Sequence, residues 1–533
     1  MRIHKISQYA LLIASSWGFM GTGLAADAAP APEPTQEASF DLLELRVKGN
    51  TLLEKTQLER AVYPYLGLKK TIATVEEARK NLEKVYQDAG FQTVAVDIPE
   101  QDVKNGVVYL QVVEGKVSRL RVKDSRYFSL DKIKAGVPEL AEGKVPNMPK
   151  MQAQIAALGQ ESADRKITPI MRAGDTPGTL EVDLKVKDNL PLHGRLELNG
   201  RNVATTSLTR LAASMHYDNL WQKMHSVSLM YQVAPEVSEE VDVWAATYML
   251  PLPQTDAKLA LYTVHSSSDA RVANVGDTTV LGIGEIYGAR FVKPLPVLDR
   301  YSHSLTLGVD YKDFLQDTSG GIENQSPVSY LPFMVRYGSA YSTKNSLASF
   351  ELGINFSVRG LGNDAAEFSK RRPGSQTDYA VLLGNADFSH NLPFGMEVYS
   401  RFTGQLADSP LINNEQMSLG GMESVRGYFE TQALADDGMV ASLELRSPHL
   451  LPGSMDVVDK LQAIAFVDGG LGWIQNPLAD EPERNDLASA GLGLRFKVWQ
   501  YFEGVLDLGF PLLKLDQVEA GDPKLHFLIA SEF

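Results

Sequence analysis

The chain has 533 residues, a formal net charge of −15 and no cysteine. That length allows two to four ordinary domains, or small domains plus one large one. The acidic balance argues against nucleic acid as a partner, because a phosphate-binding surface needs clustered Lys and Arg. The missing thiols exclude disulfides, thiolate metal sites and cysteine nucleophiles.

Residues 1–26 read as a secretory signal peptide. Arg2, His4 and Lys5 form a basic start, Tyr9–Leu24 is a mostly apolar core, and Gly23-Leu24-Ala25 or Ala26-Asp27-Ala28 suits cleavage. The core is broken by Ser15, Ser16, Gly18, Gly21 and Gly23, which disfavours a membrane anchor. No later stretch offers the ~18 consecutive apolar residues of a membrane helix. The mature chain is therefore expected either to be soluble or to enter a membrane as a barrel. Residues 27–39, rich in Ala, Pro and Glu, read as a linker.

Residues 40–115 read as a small α+β module. Leu42–Val47 predicts a strand stopped by Gly49-Asn50, and a helix follows over 53–63. A second helix is expected to open at a capping box of Thr74 and Glu77. It carries Val75, Ala78, Leu82, Val85, Tyr86 and Ala89 on one face and ends at Gly90. Strands are expected at Thr93–Ile98 and Val107–Val113. The β-α-α-β-β order recurs over 116–188, with strands at 117–122, 167–172 and 179–186 and helices at 130–135 and 151–157. The period of about 75 residues marks an internal repeat. Such a sheet can bind an extended peptide along an open edge, which suggests binding rather than catalysis.

From Leu192 onward, period-two alternation replaces the helical period. Phe350, Leu352, Ile354, Phe356 and Val358 alternate with Glu351, Gly353, Asn355 and Ser357. One apolar face and one small or polar face, over ~10 residues per strand, predict a transmembrane β-barrel. Sixteen antiparallel strands are expected within 192–533. Short turns such as Pro251-Leu252-Pro253 alternate with long connections such as 360–376 and an in-folded loop over 411–437. In the last strand Leu525, Phe527, Ile529 and Phe533 share one face.

Within that loop, Leu419–Phe429 holds one arginine and two aromatics between glycines at 420, 421 and 427. Its expected counterpart is Phe466-Val467-Asp468-Gly469-Gly470. Alternation sends Ala465, Val467, Leu471 and Trp473 toward lipid, and Phe466, Asp468 and Gly470 toward the lumen. Gly470 leaves space beside Asp468, and the planar fork of Arg426 suits a carboxylate. Glu444 and Arg446 face the same lumen and remain competing partners.

No catalytic constellation is found. The nine histidines are scattered without H-E-x-x-H, and neither G-x-S-x-G nor a phosphate-binding G-x-x-x-x-G-K-[ST] occurs. Gly282, Gly284 and Gly288 miss the dinucleotide spacing and read as small lumen-facing residues. No enzymatic activity, metal or cofactor is expected.

Val47, Gly49, Asn50, Leu82, Tyr86, Gly90 and Phe91 resemble the signature of a POTRA domain, which the repeat extends to two copies. Val425-Arg426-Gly427-Tyr428 with Phe466-x-Asp468-x-Gly470 resembles the barrel of the outer-membrane assembly and secretion superfamily. Tyr217–Trp221 resembles its early barrel turn, and a C-terminal Phe resembles its membrane-insertion signal. Two POTRA-like modules point to the two-partner secretion branch, of the hemolysin secretion/activation type. The resemblance implies that Arg426 binds Asp468 inside the pore, with Tyr428 and Phe466 packed around the pair. It implies a Gram-negative outer-membrane transporter that takes an unfolded exoprotein into periplasmic POTRA grooves and passes it through the barrel. Partners would then be that exoprotein, outer-membrane lipid, periplasmic chaperones and the barrel-assembly machinery. The alternative is an assembly or insertion factor of the same superfamily. Some members carry a helix threading the pore ahead of the first POTRA domain; residues 27–39, with three prolines, depart from that pattern.

Overall fold

The computed structural model describes the backbone of residues 2–3 and residues 38–533 apart from 269–281, 317–326, 452–456 and 480. The signal-peptide and linker expectations lie outside the described residues, save for 2–3 and 38–39. The chain divides into two units, Met1–Leu190 and Pro191–Phe533.

Parallel strands need a long crossover, and two helices supply it twice in the first unit. In the first module Val107–Glu114 is central, parallel to Glu44–Lys48 and antiparallel to Val94–Asp97. In the second, Thr179–Asp188 is central, parallel to Lys116–Lys123 and antiparallel to Arg165–Ala173. The same order and sense make the repeat structural. Helices Lys55–Val62 and Ile72–Asp88 fill the first crossover, Leu130–Ala135 and Met148–Glu161 the second. Val75, Ala78, Leu82 and Tyr86 pack with Val94, Val96, Val108, Leu110 and Val112 in one buried core. The Tyr86 hydroxyl donates to Asn50 Oδ1 at 2.5 Å, and the Asn50 amide brackets Leu53. Burial pushes the Tyr86 phenol above its ordinary range. The Asn147 side chain donates to the Ala89 carbonyl, and Met148 N–H to that of Gly90, which joins the modules.

Two expectations are corrected here. The long helix begins at Ile72 with Thr71 as N-cap, so Thr74 does not open it; Thr74 N–H already bonds the Thr71 carbonyl at 3.1 Å. The capping box belongs to the preceding helix, between Glu54 and Gln57. Ala89 is an exposed C-cap residue rather than part of the buried face.

The second unit is a closed sixteen-stranded antiparallel barrel. Its strands are β1 (Leu192–Asn199), β2 (Arg210–Leu220), β3 (His225–Val233), β4 (Asp242–Leu252), β5 (Ala257–Ser268), β6 (Gly282–Pro294), β7 (Tyr301–Gln316) and β8 (Val328–Tyr330 continuing in Phe333–Ser342). They continue as β9 (Ser346–Phe356), β10 (Ala380–Asn391), β11 (Glu397–Ala407), β12 (Asp437–Arg446), β13 (Val458–Trp473), β14 (Arg484–Val498), β15 (Phe502–Pro511) and β16 (Lys524–Glu532). Leu196, Phe350, Leu352, Val467, Leu492, Leu525 and Ile529 are exposed on the outer wall, as a lipid-facing band requires. β1 closes against β16 through five residue pairs, Arg195↔Glu532 to Asn199↔Leu528, the shortest pairing between neighbouring strands. Short turns cluster at one end and long loops at the other. The long loop after β9 contains an unexpected helix, Ala365–Arg371, capped by Asp364 through the N–H groups of Ala366 and Glu367.

Candidate functional site

The segment 408–436 between β11 and β12 lies in the lumen. It forms a small hairpin, with Met417–Leu419 paired to Ala433–Ala435, and the arginine motif sits between the two arms. Arg426 is 3 % exposed and Asp468 4 %. The guanidinium meets that carboxylate as a fork, Nε to Oδ2 at 2.8 Å and Nη2 to Oδ1 at 2.7 Å. The Arg426 backbone N–H donates to Oδ2 at 3.1 Å. The pairing drawn from the resemblance is thus present in the structure.

Sequence reasoning left Glu444 as a rival; it is a joint partner. Arg426 Nη1 donates to Glu444 Oε1 at 2.7 Å, and Asp507 lies 3.4 Å from the same nitrogen. Ser442 Oγ accepts from Nη2 and donates to Asp468 Oδ1 at 2.6 Å. Arg446 holds Glu444, and Arg495 forks Asp507 at 2.5 and 2.7 Å. Three arginines face three buried carboxylates, and Arg446 also reaches Glu397, so each buried charge has a partner. The Arg426 guanidinium lies 3.5 Å from the centroid of the Phe466 ring, a cation–π contact. Lysine could not make this set of planar contacts.

Two close approaches seat the loop. A Cβ on Gly470 would stand 2.9 Å from Val425 Cγ2, so the wall glycine makes room for Val425. Gly427 has φ +92°, and a Cβ on Gly509 of β15 would come within 2.6 Å of its nitrogen. Backbone therefore packs on backbone here, and Gly427 N–H donates to His526 Nε2 of β16 at 2.9 Å.

Phe466 covers the ion pair, and Tyr428 follows the left-handed Gly427. Its ring is buried in an apolar cluster with Leu419, Val425, Leu487 and Val518. Its hydroxyl lies 2.7 Å from the Leu513 carbonyl and 3.1 Å from that of Ala488.

The loop also reaches both sides of the seam between β1 and β16. Glu423 pairs with Arg201, and Glu430 N–H donates to the Asn202 carbonyl at 3.1 Å, both just past β1. Lys524 of β16 lies 3.5 Å from the Phe429 ring centroid. At the long-loop end, Arg372 forks Asp436 at 2.6 and 2.9 Å, a second buried ion pair. Beside it, Phe314, Tyr330, Phe368, Tyr379, Leu411 and Ile412 form a buried apolar cluster. Between the loop and strands β6–β11 remains a polar cavity of about 480 Å³. Its charges are largely paired, Arg290 with Asp310 and Arg336 with Glu351 on the wall, and Lys312 of the wall with Glu415 of the loop.

Ser442, Asp507, Gly509, His526, Arg495 and Arg372 were not foreseen. Alternation alone could have turned Ser442, Asp507, Gly509 and His526 inward, on the lumen-facing parity of their strands. No local pattern marks Arg372, which sits in a loop.

Residues 178–496 match the family model described as haemolysin secretion/activation protein ShlB/FhaC/HecB, and residues 40–115 a POTRA domain of ShlB type. The outer membrane transporter CdiB of Escherichia coli is 24% identical over 95% of this chain and 85% of its own length. The heme/hemopexin transporter protein HuxB of Haemophilus influenzae is 20% identical over 86% of this chain and 82% of its own. Among solved structures, CdiB from Escherichia coli has a TM-score of 0.61 at 19% identity, covering 95% of this chain and 93% of that one. BamA from Haemophilus ducreyi lacking POTRA domains 1–3 has a TM-score of 0.56 at 15% identity, covering 93% of this chain and all of that one. These structures share the fold. With more than half of its length in the family model, the chain belongs to the haemolysin secretion/activation family, and it is an outer-membrane transporter of two-partner secretion with its POTRA region in the periplasm.

Proposed function

We propose that residues 40–115 and 116–188 act as a POTRA pair that captures an unfolded exoprotein in the periplasm. The exoprotein then crosses in the half of the lumen that segment 408–436 leaves free. Residues 1–26 serve as signal peptide and 27–39 as linker. Val425, Arg426, Gly427 and Tyr428 on the loop, and Phe466, Asp468 and Gly470 on the wall, hold the loop as a strut on the β12–β16 side. The observation that carries this reading is the polar cavity along β6–β11. Its wall charges are neutralised by neighbours, so a passing chain meets hydrogen-bonding groups without a strong field of one sign. The apolar cluster of Phe368, Tyr379, Leu411 and Ile412 closes the outer end, and passage requires its displacement. Outer-membrane lipid surrounds the exposed apolar band, while periplasmic chaperones and the barrel-assembly machinery deliver the chain to it. The protein carries out no catalysis; exoprotein folding outside the cell supplies the driving force.

Deleting residues 40–188 tests the assignment. The expected result is loss of exoprotein from the medium with a barrel still inserted in the outer membrane. Unchanged secretion would refute it. The five-pair seam favours one second reading, insertion of other barrels between β1 and β16. Site-specific crosslinking separates the two: substrate crosslinks to residues 336, 385 and 401 support secretion, and crosslinks to residues 196 and 529 support insertion.

A further inference from the structure

Away from the loop, at the short-turn end of the barrel, three potential metal ligands converge. His193 of β1 and His216 of β2 are direct cross-strand partners. Asp218 lies two residues beyond His216 and so on the same face of the sheet. Leu196, Leu198 and Met215 are exposed on the outer wall, which puts the three residues on the lumenal parity. The imidazole rings stack with centroids 4.7 Å apart and planes at 27°. His216 Nε2 stands 3.7 Å from Asp218 Oδ2. One ligand atom from each of the three lies within 4.8 Å of the other two.

The backbone beneath these groups is well held. Asp218 N–H donates to the Pro191 carbonyl at 2.8 Å, which continues the β1–β2 pairing past Leu192. The next residue, Asn219, is buried and left-handed, and its side chain bonds Gln222 and the Met224 N–H across the turn. The Asp218 and His216 side chains remain part exposed, at 37% and 48%, so an ion can reach them from the aqueous end of the lumen.

We propose that His193, His216 and Asp218 form a binding site for one divalent transition-metal ion, with zinc the best fit. Two imidazole nitrogens and one carboxylate oxygen are a borderline donor set, and a water completes four-coordination. Zinc–ligand bonds of about 2.0–2.1 Å place tetrahedral ligands about 3.3 Å apart. The present spacing, within 4.8 Å, would have to close to that value on binding. The bound ion staples β1 to β2 beside the short β1–β16 seam. No sequence motif announces it, because residues 193 and 216 meet only through strand register.

The test is calorimetric titration with zinc chloride of the full-length protein, carrying no histidine tag, chelator-treated and held in detergent. One zinc per chain is expected for the wild type. His216→Ala should abolish binding, Asp218→Asn should weaken it, and His390→Gln should leave it unchanged. Heat-modified gel migration verifies folding; should His216→Ala fail to fold, His193→Gln takes its place with the same expected loss. Absence of zinc binding in the wild type, its retention in a folded His216→Ala or His193→Gln, or displacement of zinc by excess magnesium would each overturn the proposal.

Discussion

Two buried arginine–carboxylate forks hold the lumen segment, and they are built differently. Arg426 grips the barrel wall: its fork closes on Asp468, and Glu444 and Asp507 stand beside it. Arg372 grips another loop. It forks Asp436, donates to the carbonyls of Leu411 and Gln475, and among the described residues pairs with that one carboxylate. Asp436 in turn accepts from the N–H groups of Leu411 and Gln475 and from the Gln416 amide. The wall lock is redundant in charge, whereas the loop lock gathers three loops on a single acid. Redundancy suits a strut that stays in place; a single acid suits a closure that must open.

The largest expected effect tests that contrast at its weaker point. Asp436→Ala leaves the Arg372 guanidinium buried without a carboxylate and removes five hydrogen bonds. Removing one partner of a buried pair costs about 3–5 kcal/mol, here spent on local order among the loops. Ion conductance in planar bilayers should rise, and protease should cut within 357–379 faster. Unchanged conductance and cleavage would show that the outer end does not depend on this pair. The next effect compares the two ends of the wall lock. Arg426→Ala leaves three buried carboxylates to two arginines, again about 3–5 kcal/mol. Asp468→Ala leaves Arg426 with Glu444 and Asp507, so the loss should be smaller, about 1–3 kcal/mol as for an unsatisfied hydrogen-bonding group. The double variant should lose less than the sum of the two and no more than Arg426→Ala, because it leaves two buried carboxylates to two arginines. Urea unfolding of the detergent-held protein measures all three, and equal losses for the two single variants would remove the claim of redundancy.

The contrast also explains what was legible beforehand. The wall lock was readable because Asp468 lies on a strand, where period two fixes the side a residue faces, and because Arg426 sits inside a glycine-framed motif. The barrel strands and both α+β modules were readable for the same reason: a single period dominates each. Thr74 and Glu77 misled because a capping-box pattern recurs by chance inside a helix whose apolar face already extends to Ile72. The helix Ala365–Arg371 is too short for a period to emerge, so Arg372 had no context. Ser442, Asp507 and His193 with His216 depend on which strands lie side by side, and only register supplies that.

A smaller effect probes the seat of the wall lock rather than its charge. Gly427→Ala asks a residue with φ +92° to carry a side chain whose Cβ would stand 3.1 Å from Pro511 N and 3.3 Å from the Gly509 carbonyl carbon. Left-handed strain of this kind costs about 1–3 kcal/mol, and the backbone bond to His526 would lengthen. The unfolding midpoint in urea should fall by less than for Arg426→Ala. An equal fall would mean that backbone fit, rather than the ion cluster, dominates the hold on the wall.

The smallest effect belongs to Tyr428→Phe. The substitution keeps the ring in its cluster with Leu419, Leu487 and Val518 and removes the hydroxyl between the Leu513 and Ala488 carbonyls. A neutral hydrogen bond of this sort contributes about 1 kcal/mol net, and no buried charge is left behind. Stability should drop by that amount while secretion persists. A loss as large as that of Arg426→Ala would move the anchor of the loop from the β12–β13 wall to the β14–β15 end. The wall lock would then rest on one hydroxyl, and it would share the dependence on a single group that otherwise sets Arg372 and Asp436 apart.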